Sequence, residues 1–552
     1  MLQNNPVLRS KIDELWKKFW AGGISNPLTA IEQITFLLFM KRMDKLDAEQ
    51  QENAEFLVEN FQSRFDGADW IRPEERDKEP KDQRPIPRHT LRWSSFTRMK
   101  ADEMLPHVRD NVFVFLKDLN GEESHFTHHM KTAVFIIPKP SLLVEAVKTI
   151  DEIFEEMERD AEEGGQTFQD IQGDVYEYLL SEIASAGKNG QFRTPRHIIK
   201  LVAELVAPQL GGKIADPACG SSGFLLGAQQ YIISQLAKND GTELIEDEDG
   251  FKRAAVSQSL TEDRKKILAD SLFGFDIDQS MVRMGLMNLM MHGIDEPNVD
   301  YQDTLSKSFN QEGEYQYILA NPPFTGNIDK GDINSALKLD TTKTELLFIE
   351  NIYRMLRKGG TAGVIIPQGV LTGTNKAFIN TRKLITERCQ LKAVVSMPNG
   401  IFKPYAGVAT AILLFTKVYD YEDEIDQIPT NHTFFYDMRE DGYSLDDKRN
   451  KHNNYGDLQD IILQYQGREV ENLKCRKAKF FMLSFDELKE AKYDLSFSRY
   501  KEEVIEVIDY GNPLELIDDL IAVEVGTMEN PELTNIKGGI VRELLEIKSM
   551  LA

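Results

Sequence analysis

The sequence predicts an α/β protein whose core is a doubly wound, mostly parallel sheet, with a helical region before it and a helical tail after it. Between residues 213 and 416, short apolar runs typical of buried strands alternate with stretches of helical periodicity. Residues 12–38 and 532–550 instead repeat apolar side chains at the spacing of amphipathic helices. The 552 residues are enough for two to three domains, which we expect at 1–165, 166–482 and 483–552.

Composition and charge narrow the class of protein. Cys219, Cys389 and Cys475 are too widely spaced for a disulfide framework or a cysteine zinc site, so we expect a reducing, cytoplasmic location. The N-terminus has no signal-peptide pattern and the apolar run at 34–40 is too short to span a bilayer, so we expect no membrane contact. The 90 acidic and 65 basic residues give a formal charge of −25, which indicates that any hold on nucleic acid is shared with a partner.

The N-terminal region predicts two amphipathic helices. In the first, apolar side chains recur at helical spacing at Ile12, Leu15, Trp16, Phe19 and Trp20. The second begins near Pro27, with Ser25 or Thr29 as its cap. The two tryptophans could form a surface for a partner, but a small helical core is the interpretation that we favour.

A cluster of histidines follows at His125, His128 and His129, close enough together to suggest a metal site. No cysteine lies nearby, and the only further ligands in the segment are Glu122 and Glu123. We therefore interpret this segment as a polar loop and expect no metal site in the chain.

The alternating region places polar side chains where its strands end. Predicted strands are 213–215, 272–275, 317–320, 361–366, 391–396 and 408–416, and predicted helices are 198–206, 223–233, 280–292 and 343–356. Ligands of doubly wound sheets bind at the carboxyl ends of the strands. Because Asp216, Asp276, Asp303 and Asn321 fall at these ends, we expect them to meet in one site.

The segment Asn321-Pro322-Pro323-Phe324, at the end of an apolar strand, suits methylation of an exocyclic amine. An aromatic amine such as adenine N6 is a poor nucleophile because its lone pair is delocalised into the ring. The oxygen of Asn321 and the carbonyl of Pro322 can each accept one N–H hydrogen bond from it. Phe324 can stack on the ring, and the prolines fix the backbone. An ordinary strand-to-turn exit is the alternative, since Asn-Pro is common in turns.

The stretch 216–223, Asp-Pro-Ala-Cys-Gly-Ser-Ser-Gly, joins a strand to a helix and lacks the Gly-Lys-Ser/Thr of a phosphate loop. Its glycines allow a ligand to approach the backbone, and Asp216 suits a ligand with a sulfonium and an amine, such as S-adenosyl-L-methionine. A tight turn without a ligand is the alternative. Asp276 is placed to bond two ribose hydroxyls and Asp303 to accept the cofactor's adenine amine, although either could cap a helix, as Asp278 could.

Four motifs in this order resemble those of the methylation (M) subunit of type I restriction-modification systems, which are adenosylmethionine-dependent N6-adenine DNA methyltransferases. The motifs are Gly-Gln-Phe-Arg-Thr-Pro-Arg-His-Ile-Ile (190–199), Asp-Pro-Ala-Cys-Gly-Ser-Ser-Gly-Phe-Leu (216–225), Phe-Gly-Phe-Asp-Ile-Asp (273–278) and Asn-Pro-Pro-Phe (321–324). Stretches at 91–96, 364–367, 397–402 and 434–439 extend the resemblance over nearly the whole chain. It implies a Rossmann-like methyltransferase sheet.

The resemblance also implies roles for individual residues. The segment that would close over the methionine end of the cofactor comprises Gln191, Phe192, Arg193, Thr194, Pro195 and Arg196. Ser221, Ser222 and Gly223 would line the cofactor, and Asp276 would hold its ribose. Asn321, Pro322 and Phe324 would act on an adenine flipped out of double-stranded DNA. The family often has an aromatic residue in place of Arg193 and a glutamate in place of Asp276.

The sequence and the resemblance also indicate which partners to expect. No stretch between 321 and 417 looks like a large inserted recognition domain, so a separate specificity (S) subunit would read the DNA sequence. The resemblance implies a second M chain on that subunit and a restriction (R) subunit for cleavage. We expect the helix at 532–550 to be an interaction arm, although it could pack on its own domain. A protein-glutamine N-methyltransferase and a non-catalytic assembly subunit remain as alternatives.

Overall fold

Helices and strands follow one another largely as the alternating pattern predicts. The structure is a computed structural model and describes residues 5–58, 60–118, 121, 124–164, 171, 173, 175–176, 178–179, 194–254, 261–294, 296–404, 406–469, 475–502, 513–526 and 539–551. The α-helices with described bounds are α1 (Pro6–Ala21), α2 (Pro27–Leu57), α3 (Trp93–Phe96), α4 (Ala101–His107), α5 (Phe113–Lys117), α6 (His125–Met130), α7 (Pro140–Gly164), α8 (Arg196–Val206), α9 (Gly223–Asn239), α10 (Glu262–Ala269), α11 (Gln279–Met291), α12 (Thr344–Met355), α13 (Gly369–Thr372), α14 (Lys376–Glu387), α15 (Leu458–Gln466), α16 (Phe485–Glu490), α17 (Phe497–Tyr500), α18 (Pro513–Gly526) and α19 (Ile540–Leu551). The strands are β1 (Ile214–Asp216), β2 (Ile245–Glu246), β3 (Lys252–Arg253), β4 (Leu272–Asp276), β5 (Asn298–Tyr301), β6 (Tyr315–Ala320), β7 (Leu356–Pro367), β8 (Cys389–Met397), β9 (Thr410–Lys417), β10 (His432–Asp437) and β11 (Phe480–Ser484).

Nine of the described strands form one mostly parallel sheet in the order β11-β10-β8-β9-β7-β6-β1-β4-β5. Strand β1 is parallel to β4 on one side and to β6 on the other, so the winding of the chain reverses at β1. The pairs β4–β5 and β6–β7 are also parallel, whereas β9 is antiparallel to both β7 and β8. The predicted fold class is therefore confirmed. The carboxyl ends of β5, β4, β1 and β6 lie side by side, at the reversal where doubly wound sheets bind ligands.

Apolar side chains of the sheet face two layers of helices. Helices α8, α9 and α11 share a core with one face, and α12 and α14 share a core with the other. Ile214 and Ala215 of β1 are both fully buried and belong to different cores, because successive side chains of a strand point to opposite faces. Strand β1 is thus covered on both sides, which fixes the position of the loop that follows it.

The helices of the N-terminal region confirm the amphipathic pattern. Helix α1 buries Leu8, Ile12, Leu15 and Phe19, whereas Trp20 remains 49% exposed. Helix α2 is capped by Asn26, whose Oδ1 accepts the N–H of Leu28 at 3.0 Å. The predicted caps, Ser25 and Thr29, are wrong because Pro27 occupies the first helical turn and leaves the residue before it as the cap.

Contacts between the N-terminal helices and the sheet run through α2 and α6, which pack against α11 and β5. Arg283 of α11 pairs with Glu32 of α2 at 2.6 Å, and both side chains are largely buried. The histidine segment is helix α6 rather than the predicted polar loop. The hydroxyl of Ser124 caps this helix, and burial of Phe126 and Met130 holds it against the core.

The C-terminal part of the chain adds two strands, β10 and β11, to the sheet. Strand β10 is an interior strand, parallel to β8 and antiparallel to β11. Strand β11 was not predicted, and it runs across the expected boundary between residues 482 and 483. The chain forms two compact units, Met1–Tyr500 and Lys501–Ala552. The division at 165/166 remains a prediction, as does the role expected for the tail.

The second unit contains helices α18 and α19, whose small core includes Ile517, Ile521 and Val541. The terminal helix predicted at 532–550 begins only at Ile540, and residues 527–538 lie outside the described part of the chain. None of the described helices has both the length and the apolar composition needed to cross a bilayer.

Candidate active site

Asn321 lies directly after β6 and is held by a residue that precedes α8. Its Nδ2 donates a hydrogen bond of 2.9 Å to Oγ1 of Thr194, which is itself buried. Its Oδ1 is buried and has no hydrogen-bond partner among the residues that the structure describes. A buried acceptor without a donor costs about 1–3 kcal/mol, so such an atom needs an explanation. A ligand that brings an N–H group to this oxygen would provide one.

The three residues after Asn321 differ in exposure. Pro322 is buried and Pro323 is exposed. Phe324 is 7% exposed and packs edge-on against Phe402, with ring centroids 5.6 Å apart and an interplanar angle of 89°. In the free protein the Phe324 ring is therefore part of the wall of the site, and Phe402 supports it from the 397–402 motif.

Asp216 ends β1 inside the core, next to the neighbouring strand end. Its Oδ1 accepts the N–H of Ala218 at 3.1 Å. Burial, with a further contribution from the negative charge of Asp276, raises the pKa of this carboxyl to about 8. The thiol of Cys219 is also buried, and its pKa is raised well above the ordinary value, which excludes a thiolate nucleophile. The site is therefore acidic, and a cation bound here would favour the carboxylate form.

The loop from Gly220 to Gly223 approaches α11 unusually closely. Ser222 is fully buried in the left-handed region, with a φ of 64°. A Cβ atom on Gly285 of α11 would lie 2.5 Å from Oγ of Ser222, so only glycine fits at that position. The carbonyl of Ser221 accepts a 2.7 Å hydrogen bond from Nδ2 of Asn288, one helical turn further along α11. Helix α11 thus sets the shape of the loop.

Asp276 and its neighbours connect the strand ends. The carboxylate of Asp276 accepts the N–H of Gly220 at 2.9 Å and that of Asp278 at 2.8 Å, and burial raises its pKa. Asp278 caps α11, as its position in the sequence predicts, and accepts the N–H of Ser280 at 2.8 Å. The loops after β1 and β4 are therefore joined through a carboxylate.

The loop after β5 lies beside the loops that follow β1 and β4. The carboxylate of Asp303 accepts the N–H of Leu305 at 2.9 Å within a turn, so Asp303 does not cap a helix, which was the alternative to ligand binding. The hydroxyl of Thr304 donates to the carbonyl of Pro217 at 3.1 Å. This bond ties the loop after β5 to the loop after β1.

The structure thus brings together Asp216, Ser221, Ser222, Gly223, Asp276, Asp303 and, through the parallel pairing of β1 with β6, the Asn321 motif. Pro195 is the residue before α8, and its carbonyl accepts the N–H groups of Ile198 and Ile199 at 3.0 Å each, while Arg196 begins the helix. Gln191, Phe192 and Arg193 lie outside the described residues.

A buried polar network anchors α8 and was not foreseen from the sequence. Nε2 of His197 lies 2.8 Å from Asp441, and its ring stacks on that of Tyr443 with centroids 4.5 Å apart. Nζ of Lys200 lies 2.8 Å from Asp249, and the hydroxyl of Tyr443 donates to the same carboxylate at 2.9 Å. Burial alone would raise the pKa of Asp249, but the charges of Lys200 and His197 lower it. These partners are far apart in sequence, and no local pattern reveals them.

Comparisons with known proteins agree on one group. Residues 167–506 match the family model described as N-6 DNA Methylase, and residues 8–150 match the model described as the HsdM N-terminal domain. The type I restriction enzyme EcoEI methylase subunit of Escherichia coli is 28% identical over 429 residues, which cover 75% of this chain and 74% of that protein. The EcoKI methylase subunit of Escherichia coli strain K12 is 27% identical over 447 residues, covering 79% and 72%.

Solved structures share the fold. A modification subunit of a putative type I restriction enzyme from Vibrio vulnificus YJ016 superposes with a TM-score of 0.64 at 20% identity, covering 91% of this chain and 98% of that one. A chain solved in work on complex assembly of the type I R-M system gives a TM-score of 0.61 at 23% identity, covering 99% and 98%. At this level of identity the likeness extends to the arrangement of helices and strands.

Proposed function

The chain belongs to the N-6 DNA methylase family, and from that premise we propose that it is the methylation (M) subunit of a type I restriction-modification enzyme. It transfers a methyl group from S-adenosyl-L-methionine to N6 of adenine in DNA. The observation that carries this proposal concerns Oδ1 of Asn321, which is buried at the carboxyl end of β6, beside the loop that begins at Asp216. No residue in the described part of the chain donates a hydrogen bond to it.

The acidic groups at the ends of β1 and β4 fit the proposed cofactor. When bound, S-adenosyl-L-methionine supplies an electrophilic methyl group on a sulfonium, and it carries a second positive charge on its amino group. Asp216 and Asp276 are buried carboxyls with raised pKa values, and a nearby cation relieves the cost of ionising them. Ser221, Ser222 and Gly223 form the backbone against which the ligand lies, and Thr194, Pro195 and Arg196 approach from the start of α8.

The reacting amine is handled by the Asn321 motif. Oδ1 of Asn321 accepts one N–H of adenine N6 and the carbonyl of Pro322 accepts the other, so that the nitrogen lone pair is drawn out of conjugation with the ring. Thr194 is the positioning residue, since it occupies Nδ2 of Asn321 and leaves Oδ1 directed at the substrate. Phe324, supported by Phe402, contacts the face of the base.

The amine lies inside the duplex, so the adenine must be flipped out at a cost of roughly a few kcal/mol. A chain with a formal charge of −25 gains little from phosphate attraction alone. A specificity (S) subunit that holds the DNA and reads its sequence offsets that cost. A second M chain and a restriction (R) subunit complete the proposed complex.

The proposal is tested with the chain and its co-purifying partner, incubated with DNA and methyl-labelled S-adenosyl-L-methionine. Nucleoside analysis should find the label in N6-methyladenine. Asn321→Ala should lower the rate by about 100-fold or more while cofactor binding persists, because a preorganised hydrogen-bond acceptor has been removed. Asn327→Ala, in the exposed loop that follows, is the matched control and should keep full activity. Label in protein instead of DNA would favour the glutamine alternative, and an active Asn321→Ala would remove Asn321 from the mechanism.

A further inference from the structure

A histidine–aspartate cluster lies away from the candidate active site, where α6 meets the edge of the sheet. It consists of His125 and His129 of α6 and Asp300 of β5. Nδ1 of His125 is 2.9 Å and Nε2 of His129 is 3.4 Å from the same Oδ1 of Asp300. One ligand atom from each residue can be chosen so that all three lie within 4.8 Å of one another. The sequence did not indicate this grouping, because Asp300 is supplied by a strand far along the chain.

The donor set is that of a transition-metal site. Imidazole nitrogens with a carboxylate oxygen suit Zn²⁺ and its neighbours in the first transition series, whereas Mg²⁺ and Ca²⁺ prefer oxygen ligands alone. Two histidines four residues apart lie on one face of a helix, which is the spacing that zinc-binding helices use. An ion held at about 2.1 Å from each donor needs them roughly 3–3.5 Å apart. The 3.4 Å separation of His129 from Asp300 meets that requirement, and the 2.9 Å separation of His125 from Asp300 falls just short of it.

For one ion to contact both histidines, the ring of His125 must move toward that of His129. The side chain of His125 is 47% exposed, so its ring can rotate toward His129, whose side chain is only 7% exposed. The carboxylate of Asp300 is 44% exposed, so an ion can reach it from solvent. Three protein ligands leave a fourth position for water, as in open zinc sites.

We propose that the histidine–aspartate cluster binds one divalent transition-metal ion, with Zn²⁺ as the preferred occupant. The ion links α6 of the N-terminal region to β5, the edge strand of the sheet. The ion therefore stabilises the contact between the N-terminal region and the sheet, and it takes no part in the chemistry at Asn321. Without metal, the same three side chains form the histidine–carboxylate hydrogen bonds seen here.

The test uses the full chain, freed of metal with a chelator and titrated with ZnCl₂, and with CoCl₂ as a spectroscopic probe. We expect one equivalent of Zn²⁺ to bind and to raise the melting temperature, and one equivalent of Co²⁺ to give the visible absorption of a site with nitrogen and oxygen ligands. His125→Gln and Asp300→Asn should each weaken binding by more than about 100-fold, since even residues that merely support metal ligands contribute about 10- to 100-fold.

His128→Gln is the matched control, because His128 is an exposed histidine of the same helix and is not in the cluster. It should bind Zn²⁺ as the parent chain does. Both cluster variants keep a polar side chain of similar size at a partly exposed position, so they are expected to fold, and their circular dichroism checks this. Failure of the parent chain to bind one equivalent, or equal weakening by His128→Gln, would overturn the proposal and leave a hydrogen-bonded cluster only.

Discussion

Nδ2 of Asn321 donates a hydrogen bond of 2.9 Å to the hydroxyl of Thr194, which joins the end of β6 to the residue two positions before α8. The partners are separated by 127 positions in the sequence. A segment expected to contact the cofactor thus also touches the residue expected to contact the base. Changes at Thr194 should therefore separate the two functions.

Thr194→Val should lower kcat for DNA methylation by roughly 5- to 150-fold, because the partly buried Nδ2 of Asn321 loses its partner and no longer orients Oδ1, at a cost of about 1–3 kcal/mol. Thr194→Ser keeps the hydroxyl and should restore most of the rate. Single-turnover methylation assays and cofactor titrations measure the two effects separately. If Thr194→Val changed only the Kd of the cofactor, the hydroxyl would serve the cofactor and not Asn321.

Cofactor binding should depend on pH through Asp216. The pKa of this carboxyl is about 8 in the free protein, so it is largely protonated at pH 6, and a bound cation favours its ionised form. Binding should therefore release a proton, and affinity should rise between pH 5.5 and 7.5, below the range near pH 8 where the ligand's own amino group titrates. Calorimetry in buffers of different ionisation enthalpy measures the release. Asp216→Asn should remove it, and an unchanged pH slope in this variant would assign the proton elsewhere.

The raised pKa of Asp216 also predicts that the free energy of unfolding depends on pH. Because the pKa of Asp216 is raised from 3.8 to about 8 on folding, its contribution to the free energy of unfolding is fully present below pH 4 and is lost as pH rises through 8. The free protein should thus lose stability relative to Asp216→Asn across that window. Chemical denaturation at pH 5.5, 7 and 8.5 compares the two chains, and parallel curves would contradict the raised pKa.

Gly285→Ala should displace the loop that contains Ser222. The new Cβ would lie 2.5 Å from Oγ of Ser222 and 3.1 Å from the carbonyl of Gly220, which forces one of them to move. We expect a loss of about 1–3 kcal/mol in the free energy of unfolding, as for other overpacked sites, and weaker cofactor binding. Gly331→Ala is the control, since a Cβ there meets no atom within 4 Å. Equal behaviour of the two variants would show that the close approach to α11 is unimportant.

Lys200→Met should destabilise the chain by about 3–5 kcal/mol, because it leaves Asp247 and Asp249 buried without their shared cation. Lys213→Met removes a lysine from a pair with Glu314 in which both side chains are 50% exposed, and should cost no more than about 1 kcal/mol. Denaturant unfolding compares the two variants. Similar small losses would mean that the buried pair contributes no more than the exposed one.

Local pattern predicted much of the fold and placed most of the candidate site. Apolar runs located β1, β4 and β6, and the parallel order then brought Asp216, Asp276 and Asn321 to one edge, since the carboxyl ends of parallel strands share it. Asp278 was recognised as a cap because capping depends on neighbours in sequence. The helix cap considered for Asp303 is wrong, because the N–H that its carboxylate accepts belongs to a turn.

Features made by distant residues could not be predicted. The partner of His197 is 244 positions away, and Asp300 lies 175 positions from His125, so neither pairing leaves a local signal. Strand β11 was missed because its polar surroundings masked a short apolar run that is buried only through pairing with β10. The histidine segment became a helix because burial of Phe126 outweighed its polar composition.

The anchoring of α8 by Asp441 and Tyr443 limits how far this protein can be shortened. A fragment ending after β10 would retain every motif residue from Thr194 to Phe324. His197 would nevertheless lose Asp441, and the carboxylate of Asp249 would lose both the Tyr443 hydroxyl and Nζ of Lys451. The smallest unit able to keep Thr194 beside Asn321 must therefore extend past residue 443, well beyond the last motif to which chemistry has been assigned.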